Sequence, residues 1–119
     1  MRRSVLLALA ACALHAAVIR GSVVENQTGL PLARTLVTVE PVAGTSGPPR
    51  SVRSNVYGTF QFPPLHAGKY LVSASRTGFA TIQYGQKQWK SAGVPVVVAE
   101  DDSPLLNIRL PRFGAITEP

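Results

Sequence analysis

The 119-residue sequence is poor in the residues that carry most site chemistry. It has one cysteine, Cys12, which excludes a disulfide framework and any multi-cysteine metal site. It has two histidines, and His15 falls within the apolar N-terminal stretch, leaving His66 alone in the remainder. A zinc centre built from two histidines and a carboxylate around an open position cannot be assembled from that stock. Charged residues make up 15% of the chain, with six Asp+Glu among them. That scarcity excludes an acidic disordered tail. The absence of a heptad excludes a coiled coil, and ten Gly and ten Pro without a triplet repeat exclude collagen. What is plentiful is apolar material, 45% of residues, enough for one core in one domain.

The N-terminus reads as an address. Met1-Arg2-Arg3 is a short positive segment, Ser4 to Leu14 is apolar, and Ala16-Ala17 supplies small residues near a break. This is the layout of a secretory signal peptide. Arg20 closes the apolar window well short of the roughly 20 residues a membrane helix needs. We therefore expect residues 1–17 to be a signal peptide, 18–112 a β-sandwich and 113–119 a C-terminal tail. Export would place the chain outside the cytoplasm, secreted, periplasmic or at the cell surface. Leu9-Ala10-Ala11-Cys12 also has the form of a lipobox, so a lipid anchor at Cys12 is an alternative, ranked below a plain signal. Without Arg2 and Arg3 the chain keeps ten basic against six acidic residues, a net +4. Along the sequence these cations are scattered, with no basic stripe interleaved with aromatics, so no nucleic-acid partner is expected.

The rest alternates. Thr35 to Glu40, Thr59 to Phe62, Tyr70 to Ser75, Gly93 to Ala99 and Leu105 to Leu110 are β-rich runs, with shorter ones at Val18–Val24, Arg50–Ser54 and Phe79–Tyr84. Turn residues separate them, and no helical period is present. Seven or eight short strands at this spacing argue an antiparallel sandwich or barrel. A period of two puts Thr35, Val37, Val39, Phe60, Phe62, Tyr70, Val72 and Ala74 on inward faces. Asn55 and Gly58 fit a tight hairpin end, Asn by bonding its own backbone and Gly by accepting positive φ.

Several segments together resemble the carboxypeptidase regulatory-like domain family, of the transthyretin-like (prealbumin-like) group and its carbohydrate-binding-like relatives. They are Ile19-Arg20-Gly21-Ser22-Val23-Val24 with Thr28-Gly29-Leu30-Pro31-Leu32-Ala33, then Ser54-Asn55-Val56-Tyr57-Gly58-Thr59-Phe60-Gln61-Phe62, and Leu65-His66-Ala67-Gly68-Lys69-Tyr70-Leu71-Val72-Ser73-Ala74. Gly78-Phe79 continues the match and Leu106 to Leu110 resembles a closing strand. Thr35 replaces a small Ala, Asn55 an Asp, and His66-Ala67 a Pro-Pro pair, all of which touch turn chemistry. The resemblance implies a seven-stranded antiparallel Greek-key sandwich of bacterial type. It gives structural roles to Gly21, Gly29, Gly58, Phe60, Phe62, Gly68, Tyr70 and Gly78. It also implies an accessory module, not an enzyme.

Residue types support that reading. No Gly-x-Ser-x-Gly elbow accompanies His66, so nucleophilic hydrolysis lacks its parts. The histidines and C-terminal Tyr-Arg-Gly-Ser of the related hydroxyisourate hydrolases are missing. Glu100-Asp101-Asp102 has the oxygen ligands of a Ca²⁺ site but no Asp-x-Asp-x-Asp-Gly loop, and reads as a solvated turn. No cofactor or metal is expected. The informative stretch is Phe79 to Lys90, where Tyr84 and Trp89 stand among Gln83, Gln86, Lys87 and Gln88. Flat aromatic faces beside amides suit stacking and oriented hydrogen bonds to a saccharide or peptide. Packing at the sandwich edge is the competing reading. The expected partner is an unidentified protein or envelope component, with a polysaccharide as the alternative.

Overall fold

Apolar alternation becomes eight strands. The structure is a computed structural model and describes residues 16–42, 44–86 and 92–113. Its strands are β1 (Arg20–Glu25), β2 (Leu36–Pro41), β3 (Arg50–Arg53), β4 (Thr59–Gln61), β5 (Gly68–Ser75), β6 (Ile82–Gln83), β7 (Val96–Val98) and β8 (Leu105–Leu110). One sheet has the order β4-β1-β8. The other has the order β3-β2-β5-β6, with β7 pairing the opposite end of the same β5 edge. Among the described residues no α-helix occurs, and no helix is long and apolar enough to cross a membrane.

The fold is thus an all-β two-sheet sandwich, and every residue expected on an inward face is buried, from Thr35, Val37 and Val39 to Tyr70, Val72 and Ala74. Phe60 and Phe62 meet edge to face at 6.0 Å and 78°, a geometry worth about 0.5–1.5 kcal/mol beyond the area it buries. β5 carries the longest alternation and binds β2 along Leu36↔Ser75 to Pro41↔Tyr70. Burying Tyr70 fully requires a partner for its hydroxyl, which donates to the His66 carbonyl at 2.7 Å. Burial pushes the Tyr70 phenol above its ordinary pKa.

One ladder departs from antiparallel pairing. β1 and β8 run parallel, Arg20↔Leu105 to Glu25↔Leu110. Parallel neighbours need a long connection between them, and here nearly the whole domain supplies it. The close approach explains Gly21. A Cβ there would lie 2.0 Å from the Leu106 carbonyl oxygen and 2.9 Å from the Phe60 ring. Gly58 has φ +76°, and its Cβ would sit 2.7 Å from the Val23 carbonyl oxygen. The Asn55 side chain closes that turn by accepting from the Tyr57 and Thr59 amides, both at 3.0 Å. Gly29 and Gly78 lie in turns, and Gly68 begins β5.

Backbone hydrogen bonding continues to Ala17 at one end and to Phe113 at the other. Ala17 is fully buried and exchanges two backbone hydrogen bonds with Leu65, at 3.0 and 2.8 Å. At the other end the Phe113 amide donates to the Gly78 carbonyl at 3.3 Å. Residues 1–15, including the apolar run and Cys12, and 114–119 of the tail lie outside the described residues.

Candidate functional site

The stretch expected to bind a ligand leaves β5 through the turn at Arg76–Gly78 and returns as β7. Its first half is described. Phe79 is buried, Ile82 and Gln83 pair with Ala74 and Ser73, and the Tyr84 amide donates to the Val72 carbonyl at 2.7 Å. Tyr84 is half-buried and packs on the edge of the core. The glutamines hold the loop together. The Gln83 amide N–H donates to the Gln86 side-chain oxygen at 2.6 Å, and the Gly93 N–H donates to the Gln83 side-chain oxygen at 2.8 Å. Each glutamine therefore spends its carbonyl on loop closure, and the amide nitrogen of Gln83 remains a donor for a ligand. Lys87, Gln88 and Trp89 lie outside the described residues. Gln83 at the end of β6 and Tyr84 and Gln86 in the turn after it thus stand together.

A second feature is an apolar end. The Asn55–Gly58 turn packs beside the Leu30–Leu32 segment. Val23 donates to the Gly58 carbonyl at 2.7 Å and accepts from Leu32 at 3.0 Å. These neighbouring turns leave Leu30, Val56 and Tyr57 exposed, at 62%, 74% and 76%. Exposed apolar side chains gathered on neighbouring turns are a candidate contact surface, whereas single ones are ordinary. The family-like opening and hairpin motifs supplied these residues, but nothing local distinguished them from turn filler.

His66 lies exposed in the turn before β5. It shares a hollow of about 280 Å³ with Arg50, Tyr70 and Pro64. Among the described residues, no three His, Cys, Asp or Glu side chains gather at one point. In the acidic run, Asp102 folds back to accept from the Ala99 amide at 2.9 Å, and its carbonyl accepts from Val18 at 2.9 Å. It closes the turn before β8.

A polar latch that the sequence reading missed joins the end of β1 to the exit of β8. The Glu25 side chain is nearly buried, accepts from the Thr28 hydroxyl at 2.6 Å and pairs with the Arg112 guanidinium. The Thr28 hydrogen bond, and after it Arg112, hold the Glu25 carboxyl below the usual glutamate pKa. The Arg112 guanidinium carbon also lies 5.0 Å from the Phe79 ring centre, and that of Arg76 lies 5.4 Å away.

Solved structures share this fold at low identity. One is a candidate carbohydrate-binding protein from Bacteroides uniformis, with TM-score 0.56 and 16% identity, covering 81% of this chain and 41% of that one. The major pilin subunit of Bacillus cereus has TM-score 0.56 and 11% identity, covering 81% and 30%. 3-Chlorocatechol 1,2-dioxygenase from Rhodococcus opacus has TM-score 0.55 and 14% identity, covering 82% and 60%. The chain spans less than half the length of the first two. A sandwich shared by a binding protein, a pilin and an oxygenase fixes architecture and not chemistry. No curated protein matches the chain. The model of the carboxypeptidase regulatory-like domain matches residues 18–111, four-fifths of the sequence and nearly all of the sandwich, and the chain belongs to that family.

Proposed function

We propose that the chain is an exported, non-catalytic accessory module that docks onto another protein or the cell envelope through the loops at its ends. The observation that supports this best is the exposed trio Leu30, Val56 and Tyr57, displayed on two interlocked turns of a β-sandwich in an accessory-domain family. A photo-crosslinking residue placed at Tyr57 in producing cells tests it. A discrete adduct from that position, and none from Arg109 on the outer face of β8, supports docking. Equal labelling from both positions overturns it, and turnover of a peptide or ester by purified chain overturns the non-catalytic part.

Export has its own test. Cleavage after Ala16 or earlier keeps the Ala17–Leu65 pair, whereas a cut after Ala17 removes a fully buried residue. The intact mass of the secreted form locates the cut and reveals any lipid on Cys12.

A second reading, saccharide binding by the 79–90 loop, is favoured by the half-buried Gln83 amide donor beside half-buried Tyr84. Polysaccharide pull-down tests it. Binding lost in Trp89→Ala, with the unfolding midpoint unchanged, supports it. Binding retained with a midpoint lower by several degrees assigns Trp89 to packing.

A further inference from the structure

The register of the five-stranded sheet collects arginines that the sequence keeps far apart. Leu36 at the start of β2 pairs with Arg53 on one side and Ser75 on the other. Arg34 lies two residues before β2, Arg53 ends β3, and Arg76 follows β5. All three therefore emerge at one end of the sheet, where with Thr77 they line a hollow of about 400 Å³.

Two of the three guanidiniums donate to main-chain acceptors. Arg53 donates from Nη1 to the Arg34 carbonyl at 3.1 Å, and Arg76 donates from Nε to the Ala33 carbonyl at 2.7 Å. Arg76 also lies against the Phe79 ring. Main-chain carbonyls and a ring fix the planes of these two guanidiniums without neutralising them. A guanidinium has five N–H donors, so each keeps most of its hydrogen-bonding capacity. Among the described residues no carboxylate pairs with Arg34, Arg53 or Arg76, and the ion pair there belongs to Arg112 and Glu25. Arg34 itself holds a left-handed backbone at φ +60°. Such a conformation is costly for a residue with a side chain and concentrates at functional sites. Arg53 also lines the adjoining hollow with Arg20, Asn55, Thr59 and Gln61, so the basic surface continues onto the second sheet.

We propose that Arg34, Arg53 and Arg76 form a binding site for a tetrahedral oxyanion of the sulfate or phosphate class. Repelling cations gathered and oriented without a counter-charge leave a standing site for an anion. A planar carboxylate is satisfied by one bidentate fork, whereas a tetrahedral group offers acceptors to donors from several directions, as three separate elements provide here. The site stands apart from the accessory-module reading, which survives if the site fails.

Titration of the full secreted chain with sodium sulfate or phosphate, followed by NMR of the arginine Nε–H signals, tests it. Sodium chloride and acetate at matched ionic strength are the comparison. Saturable shifts at Arg53 and Arg76 with the tetrahedral anions are expected. Arg53→Gln should weaken the affinity about three- to tenfold, and Arg109→Gln, on the outer face of β8, should leave it unchanged. Arg34→Gln serves if Arg53→Gln fails to fold. Shifts that match chloride, or equal losses in Arg53→Gln and Arg109→Gln, overturn the site. Retention on a sulfated polysaccharide separates the sources. Earlier elution of Arg53→Gln than of Arg109→Gln extends the site to esters on a polymer, and equal elution with sulfate binding intact assigns the free anion. Tighter, Arg53-dependent binding to duplex DNA at equal salt would overturn the assignment in favour of nucleic acid.

Discussion

Arg112 and Arg76 touch the same Phe79 ring, yet they sit in opposite electrostatic settings. Arg112 meets a carboxylate, Glu25, which is itself fixed by Thr28, so the charge is cancelled and two distant chain segments are tied. Arg76 meets a carbonyl, as does Arg53, and beside Arg34 the charges add. An arginine with a carboxylate partner and a ring is a fastener. Arginines with carbonyl partners and a ring are held in place but still charged, and that difference separates a structural cation from one available to a ligand. Phe79 is the side chain that the two settings share.

Removing that shared side chain should have the largest effect. Phe79 is buried in the core cluster, so Phe79→Ala leaves a cavity and should cost about 3–5 kcal/mol in urea unfolding. Phe79→Leu keeps most of the burial and loses the ring face, so a much smaller cost is expected. Equal costs for the two substitutions would mean that the ring face, not its bulk, holds this edge.

Acid should break the fastener next. The folded Glu25 carboxyl titrates below its ordinary value, about 4.3 in an unfolded chain. Its contribution is therefore fully present above that value and is lost as pH falls through the lower folded pKa. The unfolding midpoint of the native chain should drop across that acidic window, and Glu25→Gln should remove part of the drop. Thr28→Val should raise the Glu25 pKa in a carboxyl-carbon NMR titration, because the Thr28 hydroxyl is the largest influence lowering it. A Glu25 signal that titrates at its ordinary value in the native chain would dissolve the latch.

The sandwich itself was legible because burial in a half-exposed strand imposes a period of two. Val37, Val39, Phe60, Phe62, Tyr70 and Val72 each follow it, and each is buried. The parallel partnership of β1 and β8 was not legible, since a strand's alternation says which face is inside and nothing about which neighbour lies beside it. The same limit hid the surface chemistry. Glu25 and Arg112 are 87 residues apart in sequence and Arg34 and Arg53 are 19 apart. As a string the cations look scattered, and the pairing of β2 with both β3 and β5 gathers them. Composition draws attention to the Gln83–Gln86 stretch, but the use of both glutamine carbonyls for loop closure depends on where β6 turns back.

The smallest effect is the sharpest test of the comparison. Arg53→Gln removes a charge whose hydrogen bond goes to an exposed carbonyl, so its cost should stay within about 0.5 kcal/mol, the range of ordinary surface substitutions. At low ionic strength the variant should even gain slightly, because one of three adjacent like charges is gone, and added salt should shrink that gain by screening. Arg112→Gln should behave the other way, lowering the unfolding midpoint at low salt and less so at high salt, since it leaves Glu25 without its cation. The two midpoints, followed against salt concentration, should therefore approach the native value from opposite sides. If Arg53→Gln instead tracked Arg112→Gln, the carbonyl clamp would be holding the sheet end together, and the arginines there would be fasteners like the other.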